Sequence, residues 1–227
     1  MKPAPAEPTI TLASSVYASL RDDLLRGTLP PGTKLRVEWL AAQYHVGASP
    51  VREALNRLAA ERLIDRHDQR GFYARAVSSA DLEELTRTRC WLEERALRES
   101  LLNRDAEWEE TLVLALHRLS RTERHARATG EPNPDWEPYH RAFHVALIAN
   151  CRSHWLMEFC AQLADQAYLY RQIARFHATE RRNDLSEHET IARHAIAGDV
   201  EPAVSALMAH YRHTFLLCSN GLPTSHL

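Results

Sequence analysis

The chain has 227 residues and carries 28 Lys and Arg against 30 Asp and Glu, for a formal net charge of −2. This length exceeds the usual size of one domain and favours two domains, or one large helical domain with a substantial core. No run of eighteen apolar residues is present, and the N-terminal stretch MKPAPAEPTITLASS lacks the apolar centre of a secretory signal. We therefore expect a cytoplasmic protein that does not span a membrane.

Charge is divided unevenly along the chain. Residues 1–76 hold 11 Lys and Arg against 8 Asp and Glu, whereas the remaining residues hold 17 against 22. A mildly basic front and an acidic back indicate a small polyanion-binding domain joined to a body with another role. The four cysteines lie in apolar helical patterns with no CxxC pair, which favours reduced, packed thiols.

The front of the chain is predicted to be a small domain over residues 13–76, preceded by a disordered tail over residues 1–12 that is rich in Pro and small residues. From Ser15 apolar residues recur at helical spacing until the segment GTLPPG ends the run. A second, short helix is predicted over Val37–Tyr44.

A third helix is predicted in SPVREALNRLAAERL, where Ser49 suits the N-cap and Pro50 suits the first helical position. The following segment, LIDRHDQRGFYARA, has two short extended pieces around a polar turn with Gly71 and predicts a β-hairpin. Three helices followed by a hairpin is the order of a winged helix-turn-helix domain.

The back of the chain, residues 77–222, is predicted to be an all-α antiparallel bundle of about six helices, with no strand pattern and no internal repeat. Ser79 suits the N-cap of the first of these helices and Asp135 that of the third. The other predicted spans are about 80–102, 106–128, 153–177, 186–197 and 201–217. The fold class is therefore mainly α.

Several segments resemble those of the GntR family of transcriptional regulators, in the subfamily whose C-terminal FCD ligand domain is similar to that of the fatty-acid-responsive regulator. They are LLRGTLPPGTKL, LAAQYHVGASPVREALNRLAAERLI and RGFYAR in front, and RCWLEERAL, FHVAL, EHETIARHAIAGD and LMAHY behind. Their order and spacing cover about Val16 to Leu217. Within the family the chain looks most like carbon-starvation-type regulators of glutarate and related short-chain acid catabolism. The resemblance implies a back domain that binds an effector and a metal and forms dimers.

Six residues of the front are candidates for DNA contacts. A helix N-terminus with Ser49 and Arg52 offers N–H groups and a guanidinium to a phosphate or to a guanine edge in the major groove. Arg70 and Gly71 at the hairpin tip suit a wing along the minor groove, and the other two arginines suit phosphates. The full set is Arg36, Ser49, Arg52, Arg57, Arg70 and Gly71. The alternative is that these arginines form only a solvated face.

Two positions depart from the family pattern. Ala48 stands where an arginine that contacts DNA is expected, and Glu38 stands in the second helix where arginine is common. We therefore expect an operator sequence that differs from those of typical relatives.

His140 and His144 are four residues apart in YHRAFH, so both point from one face of a helix and can share a metal. The resemblance implies that His188 and His210, from the last two helices, complete the ligand set. The family most often has Asp or Asn at the position of His140, and a nitrogen donor there favours Zn, Ni or Cu over Mg or Mn. Two alternatives stay open: His140 only lines the pocket, or all four histidines line a polar cavity without a metal.

The resemblance also implies a cavity-facing arginine at Arg89, which suits an effector carboxylate because guanidinium groups bind carboxylates at two points. Arg171 is a second candidate, with Tyr168 or Tyr170 nearby for hydroxyl contacts. The alternative for Arg89 is a surface ion pair with Glu93. Metal and arginine together predict a small organic acid effector of a few carbons, and a dicarboxylate such as glutarate is one candidate.

The function predicted from the sequence is that of a homodimeric repressor that binds a short palindromic operator and releases it when the acid binds. One alternative is a metal sensor, in which the metal itself is the signal. Another is a metal-dependent hydrolase, against which Arg141 follows His140 where an HExxH enzyme has a glutamate. We expect a regulator rather than an enzyme.

Overall fold

The computed structural model describes residues 11–125, 133–174, 184–220 and 222. Residues 1–10 of the predicted tail (1–12) lie outside the described residues, as do the predicted helical ends 126–128 and 175–177.

The front of the chain forms a winged helix-turn-helix head. Its helices are α1 (Leu12–Leu25), α2 (Val37–Gln43) and α3 (Ala48–Ala60), and its strands are β1 (Lys34–Leu35), β2 (Ile64–His67) and β3 (Gly71–Ala74). The strands form one antiparallel sheet in the order β1-β3-β2, with Leu35 opposite Phe72 and His67 opposite Gly71. The predicted hairpin is therefore present as β2 and β3, and β1 is a strand that the sequence did not indicate.

Two helices of the head begin earlier than predicted. Thr11, placed in the disordered tail by the sequence, caps α1 because its hydroxyl accepts the Ser14 N–H at 3.1 Å. Gly47, not Ser49, is the N-cap of α3, and it makes no side-chain capping hydrogen bond. Ser49 and Pro50 consequently lie inside the first turn, where the backbone N–H groups have no partner within the helix.

The back of the chain is a helical bundle. Its described helices are α4 (Ser79–Leu102), α5 (Ala106–Ser120), α6 (Trp136–Ile148), α7 (His154–Ala174), α8 (Asp184–Ala197) and α9 (Val200–Ser219), and a 3₁₀ turn spans Ala149–Cys151. Ser78, one residue before the predicted Ser79, caps α4 by accepting the Asp81 N–H at 3.1 Å. Asp135 is the N-cap of α6, as predicted, but without a side-chain capping bond. This arrangement confirms the mainly α fold class.

Each part of the chain has its own apolar core. In the head, Leu20, Leu40, Leu55 and Leu58 are fully buried, and the bundle core is built from residues such as Leu97, Leu112, Phe143, Leu147 and Leu207. Burial on this scale stabilises each core by roughly 1.5–3 kcal/mol per large side chain. No helix in the described part of the chain is long and apolar enough to cross a membrane.

Helix α7 joins the two cores. Leu169 of α7 packs in the apolar core of the head, and the Gln166 side chain donates to the backbone carbonyl of Arg62 at 3.2 Å. Asp165 of α7 forms an ion pair with Arg21 of α1. Because α7 also lies against α4, α6 and α9, a shift of this helix inside the bundle would reach the head directly.

Helices α6 and α7 run antiparallel. Glu137 near the start of α6 is ion-paired with Arg171 near the end of α7, and Arg141, one turn further along α6, is ion-paired with Asp165. From the first pair to the second, the residue number rises on α6 and falls on α7, as in two antiparallel helices joined by a short connection. This pairing fixes which residues share each end of the groove between the helices.

Candidate metal centre, effector cavity and DNA-binding surface

The recognition helix α3 presents its N-terminus at the surface of the head. Ser49 and Arg52 are exposed, and the Arg52 guanidinium lies 3.8 Å from the Glu38 carboxylate of α2. The acidic residue that departs from the family pattern thus faces the arginine expected to contact bases. Both side chains are largely exposed, so this ion pair is weak and can exchange for a DNA contact.

The remaining DNA-contact candidates surround this helix. Arg36 is the exposed N-cap residue of α2, and Arg70 is exposed in the turn between β2 and β3. Gly71 has φ = +94°, a conformation that favours glycine and shapes the tip of the wing. The Arg57 guanidinium lies 3.9 Å from the centroid of the Tyr17 ring, so this arginine is also part of the packing between α3 and α1.

Four buried histidines converge in the bundle. His140 and His144 come from α6, His188 from α8 and His210 from α9, and one nitrogen of each lies within 4.8 Å of those of the other three. The sequence assigned this same set. Among the residues that the structure describes, these four histidines are the group of possible metal-binding side chains that lie close enough together to hold one ion.

His140, the residue left open by the sequence, lies inside this group. Its ring stacks on Trp136 at 4.4 Å between centroids, and its Nε2 lies 3.2 Å from Nε2 of His144. Two nitrogens bound to one zinc at about 2.05 Å in a tetrahedral arrangement are separated by about 3.3 Å. The observed distance therefore fits two ligands of a single ion.

Neighbouring side chains orient the imidazole rings of His210 and His144 through their Nδ1 atoms. Nδ1 of His210 lies 2.8 Å from the Glu187 carboxylate, so Nδ1–H donates there and Nε2 keeps its lone pair. The Tyr211 hydroxyl donates to Glu93, and its oxygen lies 3.2 Å from Nδ1 of His144. Because the hydroxyl proton is used on Glu93, Nδ1–H of His144 donates to the hydroxyl oxygen and Nε2 of His144 keeps its lone pair. These contacts aim acceptor nitrogens into the cluster, and neighbouring lone pairs repel unless a cation lies between them.

His140 and His144 are neutral at physiological pH. Burial lowers the pKa of His140 well below its ordinary value, and the proximity of His144 and Arg171 lowers it further. Burial likewise lowers the pKa of His144, assisted by His210 and His188. Neutral imidazoles are the protonation state that binds Zn, Ni or Cu, so the donor set fits a divalent transition metal.

A cavity of about 260 Å³ adjoins the histidine cluster. His140 and His144 form part of its wall, between helices α4, α6 and α7. Arg89 and Arg171, the two arginines predicted to bind an effector, also line it. The structure thus brings both predicted arginines to the same cavity as His140 and His144.

Neither arginine is free of a carboxylate partner. Arg89 donates through Nε to Glu93 at 2.5 Å, so the ion pair expected as the alternative is present, but both residues are buried and not on the surface. Arg171 is paired with Glu137, whose carboxylate lies 3.5 Å from Nδ1 of His140. Burial raises the pKa of Glu137, and the charge of Arg171 opposes that rise.

The predicted tyrosines lie elsewhere. Tyr168 lines a neighbouring cavity of about 300 Å³, which shares Glu137 and Arg171 with the first one, and its ring lies 5.5 Å from the Arg171 guanidinium. Tyr170 is buried away from both cavities and donates to Asp81 at 2.5 Å. Tyr168 therefore adjoins the first cavity beside Arg171 but does not line it.

Sequence reasoning missed two of the three carboxylates and the tyrosine that support the site, and it considered Glu93 only as a surface partner of Arg89. Glu93, Glu137, Glu187 and Tyr211 each touch a cavity arginine or a histidine of the cluster. For Glu93, the i, i+4 spacing to Arg89 was a usable signal. Glu137 also lies three residues before His140 on α6, which is a local spacing. Its contact with Arg171 and those of Glu187 and Tyr211 cross between helices, and no local pattern indicates such contacts.

Family models match both parts of the chain. Residues 12–74 match the bacterial regulatory proteins of the gntR family, and residues 84–213 match the FCD domain. The structure is similar in fold to that of E. coli McbR/YncC, with a TM-score of 0.74 over 93% of this chain and 99% of that chain, at 23% identity.

Two curated relatives extend over most of the chain. One is the uncharacterized HTH-type transcriptional regulator BphR of Paraburkholderia xenovorans strain LB400, 38% identical over 92% of this chain and 85% of that protein. The other is the HTH-type transcriptional repressor GlaR of Escherichia coli strain K12, 30% identical over 86% of this chain and 90% of that protein. The families and the relatives are regulators, not enzymes. This chain therefore belongs to the gntR family of bacterial regulatory proteins, as a DNA-binding transcriptional regulator of the FadR-like group with an FCD domain.

Proposed function

We propose that this regulator is a homodimeric repressor that binds a short palindromic operator and releases it when a small organic acid binds beside a divalent transition metal. The observation that carries the proposal is the position of the four-histidine cluster in the wall of a cavity that also holds Arg89 and Arg171. A metal on the histidine nitrogens would supply uncompensated positive charge, because neutral imidazoles bring none of the opposite sign.

Four residues would hold the metal, namely His140, His144, His188 and His210. We propose Zn or Ni because all four donors are imidazole nitrogens and the set contains no carboxylate. Glu187 and Tyr211 orient two of the rings through the contacts described above. The effector carboxylate would meet the metal on the cavity side, within reach of Arg89 and Arg171.

Transmission to DNA would run through α7. One wall of the cavity is formed by α7, and the same helix contacts the head through Leu169, Gln166 and Asp165. A ligand that moves α7 relative to α6 would change the position of each head. In a dimer that reads two half-sites, such a change alters the spacing of the recognition helices and lowers operator affinity.

The experiment compares wild type with His144→Ala. Metal content is measured on the purified proteins, and operator affinity is titrated with and without a panel of small organic acids. We expect about one transition metal ion per wild-type chain and an acid that weakens operator binding, with both effects lost in His144→Ala. His117→Ala, at an exposed position of α5, is the matched control and should behave as wild type.

A metal sensor is the second candidate. The observation that favours it is the number of histidines, since four nitrogen donors are enough to complete a tetrahedral zinc shell without a ligand from an effector. Removing and restoring the metal without any acid separates the two functions. A sensor changes its operator affinity with the metal alone, whereas an acid-responsive repressor changes it only when the acid is added.

A further inference from the structure

The cavity beside the histidines has two chemically different ends. One end is polar. It holds the half-buried ion pair of Glu137 with Arg171 and the buried His140. Farther along the same two helices, its lining is mostly apolar, apart from Arg141, His144 and Glu158. The apolar lining residues are Val145, Ile148, Met157, Ala161 and Ala164.

The antiparallel course of α6 and α7 separates these ends. Glu137 and Arg171 meet near the start of α6, whereas Ile148 is the last residue of α6 and Met157 lies in the first turn of α7. Ile148 follows His140 by eight residues, which corresponds to about 12 Å along a helix. A ligand whose carboxylate lies at the histidine cluster therefore points the rest of its body toward apolar side chains.

Charge at the apolar end is unfavourable for a second carboxylate. The charged lining residue beside Met157 is Glu158, which is itself negative. Arg141 is already ion-paired with Asp165, and Arg89 with the buried Glu93. Over the whole lining, three arginines face three glutamates, so the excess positive charge would come from the metal alone, at the histidine end of the cavity.

Cys160 belongs to the apolar lining as well. Burial, together with nearby Glu93, raises the pKa of its thiol to about 12, so the side chain is neutral at physiological pH. A neutral, buried thiol behaves as a small apolar group. It offers a second carboxylate no compensating charge.

We propose that the effector is a monocarboxylic acid with an apolar body, and not a short dicarboxylate such as glutarate. This inference rests on the proposed function, because it assumes that the acid binds at the histidine cluster. The cavity of about 260 Å³ equals roughly nine water volumes, which accommodates a straight or aromatic acid of about five to eight carbons. A dicarboxylate would place its second charge among the apolar lining residues, where Arg89 and Arg141 are already ion-paired with Glu93 and Asp165.

The test uses two acids of the same length, pentanoate and glutarate, which differ in one terminal group. Their affinities for the metal-loaded full chain are measured by calorimetry. We expect pentanoate to bind at least about tenfold more tightly, a factor that corresponds to 1.4 kcal/mol. Glutarate binding as tightly as pentanoate, or more tightly, would overturn the inference.

Two variants locate the effect at the apolar end. Glu158→Gln removes a negative charge from an exposed position, so glutarate should gain about threefold or more in affinity while pentanoate changes less than about twofold. Met157→Lys should reverse the preference, and Met157→Leu is its apolar control. If Glu158→Gln leaves both affinities unchanged, the charge argument at this end is wrong.

The outcomes separate this inference from the proposed function. If pentanoate binds and His144→Ala abolishes that binding, both hold. If glutarate binds more tightly and His144→Ala abolishes that binding, the proposed function stands and the monocarboxylate inference fails. If no acid of either class binds to protein that is metal-loaded and active on its operator, the proposed function fails and the inference fails with it.

Discussion

Arg141, the residue after His140 on α6, is ion-paired with Asp165 of α7. The same carboxylate is ion-paired with Arg21 of α1 in the DNA-binding head. One side chain thus links the helix that carries two of the candidate metal ligands to the first helix of the head. Because Asp165 is only 14% exposed, solvent screens these pairs less than it screens surface ion pairs.

This link predicts that Asp165→Asn uncouples the effector cavity from the head. The substitution keeps the volume of the side chain but removes the charge that holds both arginines, so movement of α6 and α7 would no longer pull on α1. We expect at least an about fivefold smaller change in operator affinity when pentanoate is added to the zinc-loaded protein. Fluorescence anisotropy with labelled operator DNA measures this response.

Asp22→Asn is the control, because Asp22 forms an exposed ion pair with Arg26 on the same helix α1 and such pairs contribute little. Its response to the acid should equal that of wild type. An Asp165→Asn protein that binds the acid and releases the operator as wild type does would rule out this route of coupling.

Glu187 is predicted to support metal binding without being a ligand. Its carboxylate lies 2.8 Å from Nδ1 of His210 and 2.8 Å from Nδ1 of His213. Losing such a partner typically costs 10–100-fold in metal affinity, and we expect roughly that loss of zinc affinity in Glu187→Gln. Competition with a fluorescent chelator measures it, and Glu189→Gln, at an exposed position of the same helix, should bind zinc as wild type does.

The sequence could indicate part of the histidine cluster because part of its geometry is local. His140 and His144 share a face of α6 through their spacing alone, and the family resemblance supplied His188 and His210. Burial of all four, and the inward direction of Nε2 on His140, depend on how α6, α8 and α9 pack. That packing is set by contacts far apart in the chain, which no local pattern specifies.

The head shows the same division. Three helices and a hairpin follow from apolar periodicity and turn residues, and the structure confirms them. Strand β1 was missed because two residues are too few to show alternation, and it exists only through pairing with β3. The cap of α3 was misplaced because Gly47 adopts an extended conformation before the helix, so the more favourable capping residue, Ser49, falls inside it.

Arg52 is predicted to contribute to operator recognition through α3. It is exposed near the N-terminus of that helix and has only a weak, exposed partner in Glu38. Arg52→Ala should weaken specific operator binding by about 1–3 kcal/mol, with a smaller effect on unrelated DNA. Arg95→Ala removes the same charge from an exposed position of α4 in the bundle and should leave operator affinity unchanged; equal losses in the two variants would point to a general charge effect.

A test of Arg89 as the carboxylate anchor has to change Glu93 as well. Both side chains are buried and are joined at 2.5 Å, and Glu93 also accepts the Tyr211 hydroxyl. Arg89→Ala leaves a buried carboxylate without its cation, so we expect a loss of about 3–5 kcal/mol in the free energy of unfolding. A loss of acid binding in that variant would then reflect a damaged bundle as much as a missing anchor.

The double variant Arg89→Met with Glu93→Gln removes both charges and keeps similar volumes and a hydrogen-bond acceptor for Tyr211. We expect its free energy of unfolding, measured by urea denaturation, to lie within about 2 kcal/mol of wild type, because replacing a whole buried ion pair is far less costly than breaking it. If this stable variant binds pentanoate at least about tenfold more weakly than wild type, Arg89 anchors the carboxylate. Unchanged affinity would assign the anchor to the metal and Arg171, since these are the remaining positive groups at the polar end of the cavity.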